Sequence, residues 1–212
     1  TDGKLNIGST NTDSLSDLAL QPDGKIVLVG QINQVDFRVF RLNTNGALDT
    51  TFNGTGSVVT DISGTDTATS VLILPDEKIL VAGGTSINTD SVFVRYNTNG
   101  TLDTTFDGDG KLIINAVPGS NDNITDLTIQ RDGKIIGAVS NNATAIKTTA
   151  LRLTAAGSLD PSFGINGVAT VDLGGNSNSN AIAQQTNGKI VLAGTVNNDF
   201  AFSRLNNESR PS

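Results

Sequence analysis

The chain has 212 residues and a formal net charge of −7, with 23 Gly and no Cys, Met, His or Trp. Without Cys or His there is no structural zinc site, no disulfide framework and no thiol- or histidine-based nucleophilic machinery. The acidic balance speaks against nucleic acid, which needs clustered Lys and Arg, and no apolar run approaches the roughly 18 residues of a membrane-spanning helix.

Only Glu77 and Glu208 of the 21 acidic residues are glutamates. Asp, Asn, Gly, Thr and Ser favour turns and strands over helix interiors, so the composition is that of a turn-rich β protein. The sequence starts at Thr1 with neither a methionine nor a signal peptide, which reads as a processed mature form or a piece of a longer protein.

Residues 1–7 match residues 107–114, a Gly-Lys-Leu strand that elsewhere closes a repeat. Residues 21–30 then give a Pro-Asp-Gly-Lys hairpin turn and an apolar strand ending in Gly30, and the pattern returns at residues 74–83, 130–136 and 185–194. The turn residues Asp23, Asp76, Asp132 and Asn187 lie 53, 56 and 55 positions apart. Arg41, Arg95, Arg152 and Arg204 mark a third strand in each copy. Leu48-Asp49 with Phe52, Leu102-Asp103 with Phe106 and Leu159-Asp160 with Phe163 follow in the first three.

Three markers in one order and spacing define four internal repeats of about 53–57 residues. Each reads as four strands; in the second copy they cover 70–74, 78–82, 91–96 and 111–115. Asp-Gly or Asn-Gly supplies the positive φ of a tight hairpin. The second strands are apolar on both faces, so each sheet is covered on both sides. Face-to-face stacking of small antiparallel sheets predicts an all-β propeller of four-stranded blades in a single domain over residues 1–212. The last copy stops after its third strand, and residues 4–7 are expected to complete it against residues 200–205. Such pairing would close the array and remove its edge strands. Both a four-bladed monomer and an eight-bladed dimer satisfy it; intramolecular closure, with its millimolar effective concentration, is the favoured arrangement.

The Pro-Asp-Gly-Lys-Ile hairpin, the apolar strand ending in Gly, the Arg-Leu or Arg-Tyr strand and the Asn-Gly-x-Leu-Asp-x-x-Phe segment resemble the bacterial delta-60 repeat. The resemblance covers essentially the whole chain. It implies a propeller scaffold in a large secreted or cell-surface bacterial protein, and no particular reaction. Glu77 replaces the turn Gly, Val139 stands where the other copies have Gly30, Gly83 and Gly194, and the last copy lacks Leu-Asp-x-x-Phe.

Residues repeated in every copy serve what every copy shares. Arg41, Arg95, Arg152 and Arg204 are therefore read as structural, with Asp49, Asp103 and Asp160 as partners and Phe52, Phe106 and Phe163 as interblade core. Asp103, Asp107 and Asp109 have the Asp-x-Asp-Gly flavour of a calcium loop but lack its downstream Glu. Calcium is thus a weak candidate, and no other cofactor or catalytic set is assigned. Asp17 and Asp126, just ahead of Leu18 and Leu127, are the one acid pair placed for glycosidase-like chemistry. Variable loops at 31–36, 84–90, 140–147 and 195–199, and at 63–69, 118–125 and 174–180, are where a ligand would be read.

The expectation is a non-enzymatic extracellular structural or surface-assembly unit of an adhesin, sheath or filament. The alternative is a module that binds glycan or protein through its rim loops. Partners are protein or glycan at the cell surface, self-association, or further parts of a longer chain.

Overall fold

The computed structural model describes residues 13–33, 35–86, 90–142 and 147–207. Among these there is no helix. Strands β1 (Ser14–Leu20), β2 (Ile26–Ile32), β3 (Asp36–Leu42) and β4 (Ser57–Thr60) form a first antiparallel sheet in sequence order. The second sheet comprises β5 (Asp66–Ile73), β6 (Ile79–Thr85), β7 (Ser91–Tyr96) and β8 (Lys111–Ile114). The third comprises β9 (Asp122–Ile129), β10 (Ile135–Asn141), β11 (Thr148–Leu153) and β12 (Val168–Val171). A fourth has three strands among the described residues: β13 (Ser177–Gln184), β14 (Ile190–Val196) and β15 (Asp199–Leu205). These are the blades of a β-propeller. The residues expected to complete the last blade, 4–7, lie outside the described residues.

The first hairpin of each blade is made the same way four times. The side chain of Asp23, Asp76, Asp132 or Asn187 accepts the backbone N–H two residues on, at 3.1, 3.3, 3.2 and 3.1 Å. The residue between sits at positive φ: Gly24 at 82°, Glu77 at 63°, Gly133 at 83° and Gly188 at 84°. Glycine takes this conformation freely, whereas Glu77 adopts it against its Cβ. The diverged third copy keeps the turn unchanged.

The innermost strands are longer than the alternation of apolar residues predicts. β5 begins at Asp66, not at residue 70, and β9 and β13 likewise absorb the ends of the variable segments. A β-bulge explains the difference. Register shifts between Leu15 and Asp17, Ala68 and Ser70, and Ser179 and Ala181 insert one residue and switch the phase of side chains, so polar residues continue the ladder. In the first, second and fourth copies the position opposite the bulge has room only for glycine. A Cβ on Gly30, Gly83 or Gly194 would fall 1.9, 1.8 and 1.8 Å from the carbonyl oxygens of Ser14, Thr67 and Asn178. The third copy keeps a bulge in β9 with Val139 fully buried at this position, and nothing in the structure explains the exchange.

Three apolar cores lie between consecutive blades. Val27, Val29, Phe37 and Val39 meet Val71, Ile79, Val81 and Val92 between the first and second. Leu80, Ala82 and Phe93 meet Ile124, Leu127 and Ile135 between the second and third, and Ile136, Ala138 and Ala150 meet Ile182, Ile190 and Leu192 between the third and fourth. Strands β7 and β11 are buried at every residue, as expected of sheets covered on both faces.

The favoured single-chain closure turns on residues 4–7 and so falls outside the described residues. β1 packs on β5, β5 on β9 and β9 on β13, but among the described residues no strand of the fourth blade packs comparably on the first. Among the described residues the four blades thus form an arc, and its two outer faces carry exposed apolar side chains, Leu15 and Leu18 on one and Phe200 and Phe202 on the other.

Candidate functional site at the blade junctions

Each of the first three blades builds one polar unit from residues that the repeat places eight apart. Arg41 donates from Nε to Asp49 Oδ2 at 2.8 Å, Arg95 to Asp103 Oδ2 at 2.6 Å and Arg152 to Asp160 Oδ2 at 2.8 Å. The remaining carboxylate oxygen accepts the N–H and hydroxyl of Thr51, Thr105 or Ser162. Each guanidinium also stacks on the motif phenylalanine, 4.7, 4.6 and 4.7 Å from the ring centres of Phe52, Phe106 and Phe163.

The third partner crosses the junction. Arg41 Nη1 donates to Thr98 O, Arg95 Nη1 to Ala155 O at 2.6 Å and Arg152 Nη1 to Asn207 O at 2.6 Å, each in the following blade. Gly100 and Gly157 lie under the preceding Phe52 and Phe106 rings, where a Cβ would come within 3.0 and 2.6 Å. The arginine is thus a blade-to-blade clip. All three pairs are buried, so removing the aspartate leaves an uncompensated guanidinium, whereas removing the arginine leaves the carboxylate with one partly exposed lysine, Lys25, Lys78 or Lys134.

The acids respond accordingly. Burial pushes the Asp103 carboxyl upward, but hydrogen bonds from Thr105, Lys78 and Arg95 outweigh it and hold the group well below the usual range. Asp160, bonded by Ser162 and Lys134 beside Arg152, is held down in the same way, and so is Asp49. Arg204, the fourth of the series, is exposed and has no such unit, since its copy lacks the Leu-Asp-x-x-Phe segment.

Asp103, Asp107 and Asp109 are not brought together. Asp103 is consumed by Arg95 and Lys78, Asp107 holds a turn at φ 49°, and Asp109 Oδ1 accepts Lys111 N at 2.8 Å. The acid pair Asp17 and Asp126 serves the junctions. Asp17 accepts Leu18 N at 2.8 Å and, across the junction, Val71 N at 2.9 Å; Asp126 accepts Leu127 N and Ile182 N, both at 2.8 Å. Both oxygens of each carboxylate are occupied by backbone amides.

Sequence spacing missed a different acidic group. Asp36, Asp61 and Asp66 each bring one carboxylate oxygen within 4.8 Å of the others, the one such trio among the described residues. They come from β3, the end of β4 and β5, so no local pattern announces them. Burial, then the charges of Asp61 and Asp66, raise the Asp36 carboxyl. Asp66 is fully buried and accepts Ile62 N at 2.7 Å and Ser63 N at 3.1 Å. At the next junction, burial raises both Asp90 and Asp122, and Asp90 Oδ1 is buried with no hydrogen-bond partner. At the third, the charge changes sign: Lys147 Nζ lies 3.4 Å from Asp172.

Beside this second junction, a groove of about 300 Å³ is lined by Thr67, Thr85, Ser86, Asn121, Asp122 and Asn123. It gathers hydroxyl and amide groups from three of the variable segments, 63–69, 84–90 and 118–125, and Asn123 Oδ1 is buried there without a hydrogen-bond partner.

Comparison with known proteins adds the following. Among solved structures, a protein of unknown function from Bacteroides caccae superposes with a TM-score of 0.55 at 16% identity, over 93% of this chain and 58% of its own. One of unknown function from Dyadobacter fermentans gives 0.56 at 10%, over 90% and 60%. PorZ of Porphyromonas gingivalis, a bacterial surface component of the type-IX secretion system, gives 0.51 at 9%, over 98% and 28%. The chain therefore spans about three fifths of the first two, and the likeness is one of fold. No curated protein matches the sequence. The family model described as "Domain of unknown function (DUF5122) beta-propeller" matches residues 21–52, 74–106, 130–163 and 185–209, the stretches that hold the hairpins and arginine strands. Those segments make up more than half of the sequence, and the chain belongs to that β-propeller family.

Proposed function

We propose that the protein is a non-enzymatic, extracellular structural unit of a bacterial surface assembly such as an adhesin, sheath or filament. The observation that carries this reading is where the repeated chemistry goes. Arg41, Arg95 and Arg152, with their Asp and Phe partners, are spent on joining one blade to the next, and so are Asp17 and Asp126. A scaffold whose invariant polar groups all rigidify stacking is suited to bearing load and presenting loops. The likeness of fold to PorZ, a surface component, agrees with that setting.

A second reading has its own observation. The groove around Thr67, Thr85, Asn121 and Asn123 has the hydroxyl and amide lining that hydrogen-bonds sugars, although no aromatic residue lines it. A glycan array separates the two. The assembly reading expects no glycan retained at micromolar concentration and the protein recovered from the surface fraction of producing cells. Retention of one glycan class, abolished by Asn123→Ala, replaces it with the binding module. Turnover of aryl glycosides that disappears in Asp17→Asn or Asp126→Asn protein overturns both.

A further inference from the structure

The two ends of the arc present the two halves of the junction that the chain builds three times internally. On the first blade, Leu15 and Leu18 occupy the places of Ala68 and Val71 in the second repeat and of Ile124 and Leu127 in the third. Those four are buried under the preceding blade, yet Leu18 is 55% exposed and Leu15 61%. On the last blade, Phe202 occupies the place of Val39, Phe93 and Ala150, all fully buried, and is itself 75% exposed. Phe200 beside it, in the place of the fully buried Phe37, is bare, as is Ala193 on β14. Several large apolar residues on each terminal face far exceed the scatter of single exposed side chains that monomers tolerate.

The polar groups are complementary as well. Blades two and three each donate into the next from the bulge residue: Thr69 Oγ1 to Ile124 O, and Thr125 Oγ1 to Ser179 O at 2.8 Å. The last blade carries Asn180 at that position, with an amide donor, and the matching carbonyl on the first blade belongs to Leu15. Arg41, Arg95 and Arg152 donate to the carbonyl three residues past the arginine of the following blade. Arg204 is the exposed fourth donor, and Thr44 O is the matching acceptor. Donors stand at one end and acceptors at the other.

We propose that these faces dock on each other between two copies of the chain, head to tail, with Phe200 and Phe202 of one copy covering Leu15 and Leu18 of the next and Arg204 donating to Thr44 O. The occupant follows from the internal junctions, whose geometry this contact continues. The Leu-Asp-x-x-Phe segment is missing from it, so Arg204 has no counterpart of Asp49 beside it. Gly46, the counterpart of Gly100 and Gly157, has open space above it, and the fourth repeat has no counterpart of Phe52 to fill that space. The intermolecular junction is therefore weaker than the internal ones and reversible. Because the contact is heterologous, it either closes two chains into an eight-bladed ring or continues as a filament. The docking deepens the assembly reading and rests on it for its biological use.

Sedimentation of the intact chain across a range from about 1 to 200 µM, the span in which a weak heterologous contact titrates, tests the proposal. The expected mass rises from 21.9 kDa to twice that value, or to a ladder of multiples. Phe202→Asp and Leu18→Asp should each hold the protein at the single-chain mass with unchanged melting, since both positions are exposed, while Phe202→Leu retains association. An equimolar mixture of the two Asp variants, each keeping one good face, should recover a species of twice the chain mass and nothing larger. A chain that stays at 21.9 kDa at every concentration overturns the docking, leaving these faces to further blades or another partner. Association that survives either Asp variant overturns it too, because the contact then lies elsewhere. Neither result touches the surface-fraction and glycan tests above.

Discussion

The second and fourth blades are written in nearly the same letters and live in different surroundings. Lys78-Ile79-Leu80-Val81-Ala82-Gly83 and Lys189-Ile190-Val191-Leu192-Ala193-Gly194 differ by conservative exchanges, yet Ala82 is fully buried and Ala193 is exposed. Phe93 and Phe202 differ in the same way, and Arg95 sits in a buried network while its counterpart Arg204 faces solvent. What separates them is a neighbour on the far face. A repeat's motif specifies an interface, and half of every interface is supplied by the next repeat.

The largest contrast is expected at the arginines. Arg95→Leu removes one partner of a buried pair together with its bond across the junction and leaves Asp103 only Lys78 as counter-charge, which costs about 3–5 kcal/mol. At roughly 2–4 °C per kcal/mol for a chain of this size, the melting point should drop by about 6–20 °C. Arg204→Leu should leave melting unchanged in dilute protein. Equal losses for the two would mean that the junction, and not its neighbour, sets the energy, and would end the comparison.

Phe106→Ala sharpens it from the apolar side. The ring fills the space over Gly157 and under Arg95, and its removal should cost about 3–5 kcal/mol by loss of burial and the cavity left behind. Replacing Gly157 by Ala should be destabilising too, because the added methyl meets the same ring at 2.6 Å and the backbone there is at φ 98°.

A smaller effect concerns pH. Asp49, Asp103 and Asp160 titrate below their unfolded value, so their stabilisation is full above about pH 4 and lost as pH falls through the lowered values. Asp36, Asp90 and Asp122 titrate above it, so they favour the fold below about pH 4 and oppose it as pH rises through their raised values. Asp90→Asn should therefore raise the melting temperature at pH 7 and change it little at pH 4, which a calorimetric pH series would reveal. A uniform shift at both pH values would show that charge is not the cause.

The smallest expected change is a gain. Glu77→Gly relieves the one Asp-Gly-type first hairpin in which a non-glycine residue is held at positive φ, at 63°, and should stabilise by about 1 kcal/mol. The same exchange is already present at Gly24, Gly133 and Gly188, so thermal melting of this variant measures what the other three turns gain.

Much of this was legible before any coordinates. The Asp-Gly hairpins, the eight-residue step from Arg41 to Asp49 and the two-sided apolar strands are local patterns, and local patterns are what sequence spacing can report. The extension of β5 back to Asp66 was not, because a bulge reverses the alternation on which strand reading depends. Nor was the role of Asp17, whose partner is a backbone amide 54 residues away. The trio of Asp36, Asp61 and Asp66 was hidden for the same reason, since it draws on two blades.

Residue spacing alone is enough for the repeat, the strand order within each blade, the hairpin chemistry and the pairing of Arg41, Arg95 and Arg152 with Asp49, Asp103 and Asp160. All of these close over a few residues, where backbone preference and hydrogen-bond reach decide the outcome. Packing settles which arginines clip two blades together, which acids meet, and which blade faces are exposed among the described residues. Those outcomes depend on how far the stacked sheets turn around their axis, a quantity summed over the three junctions and written in none of them.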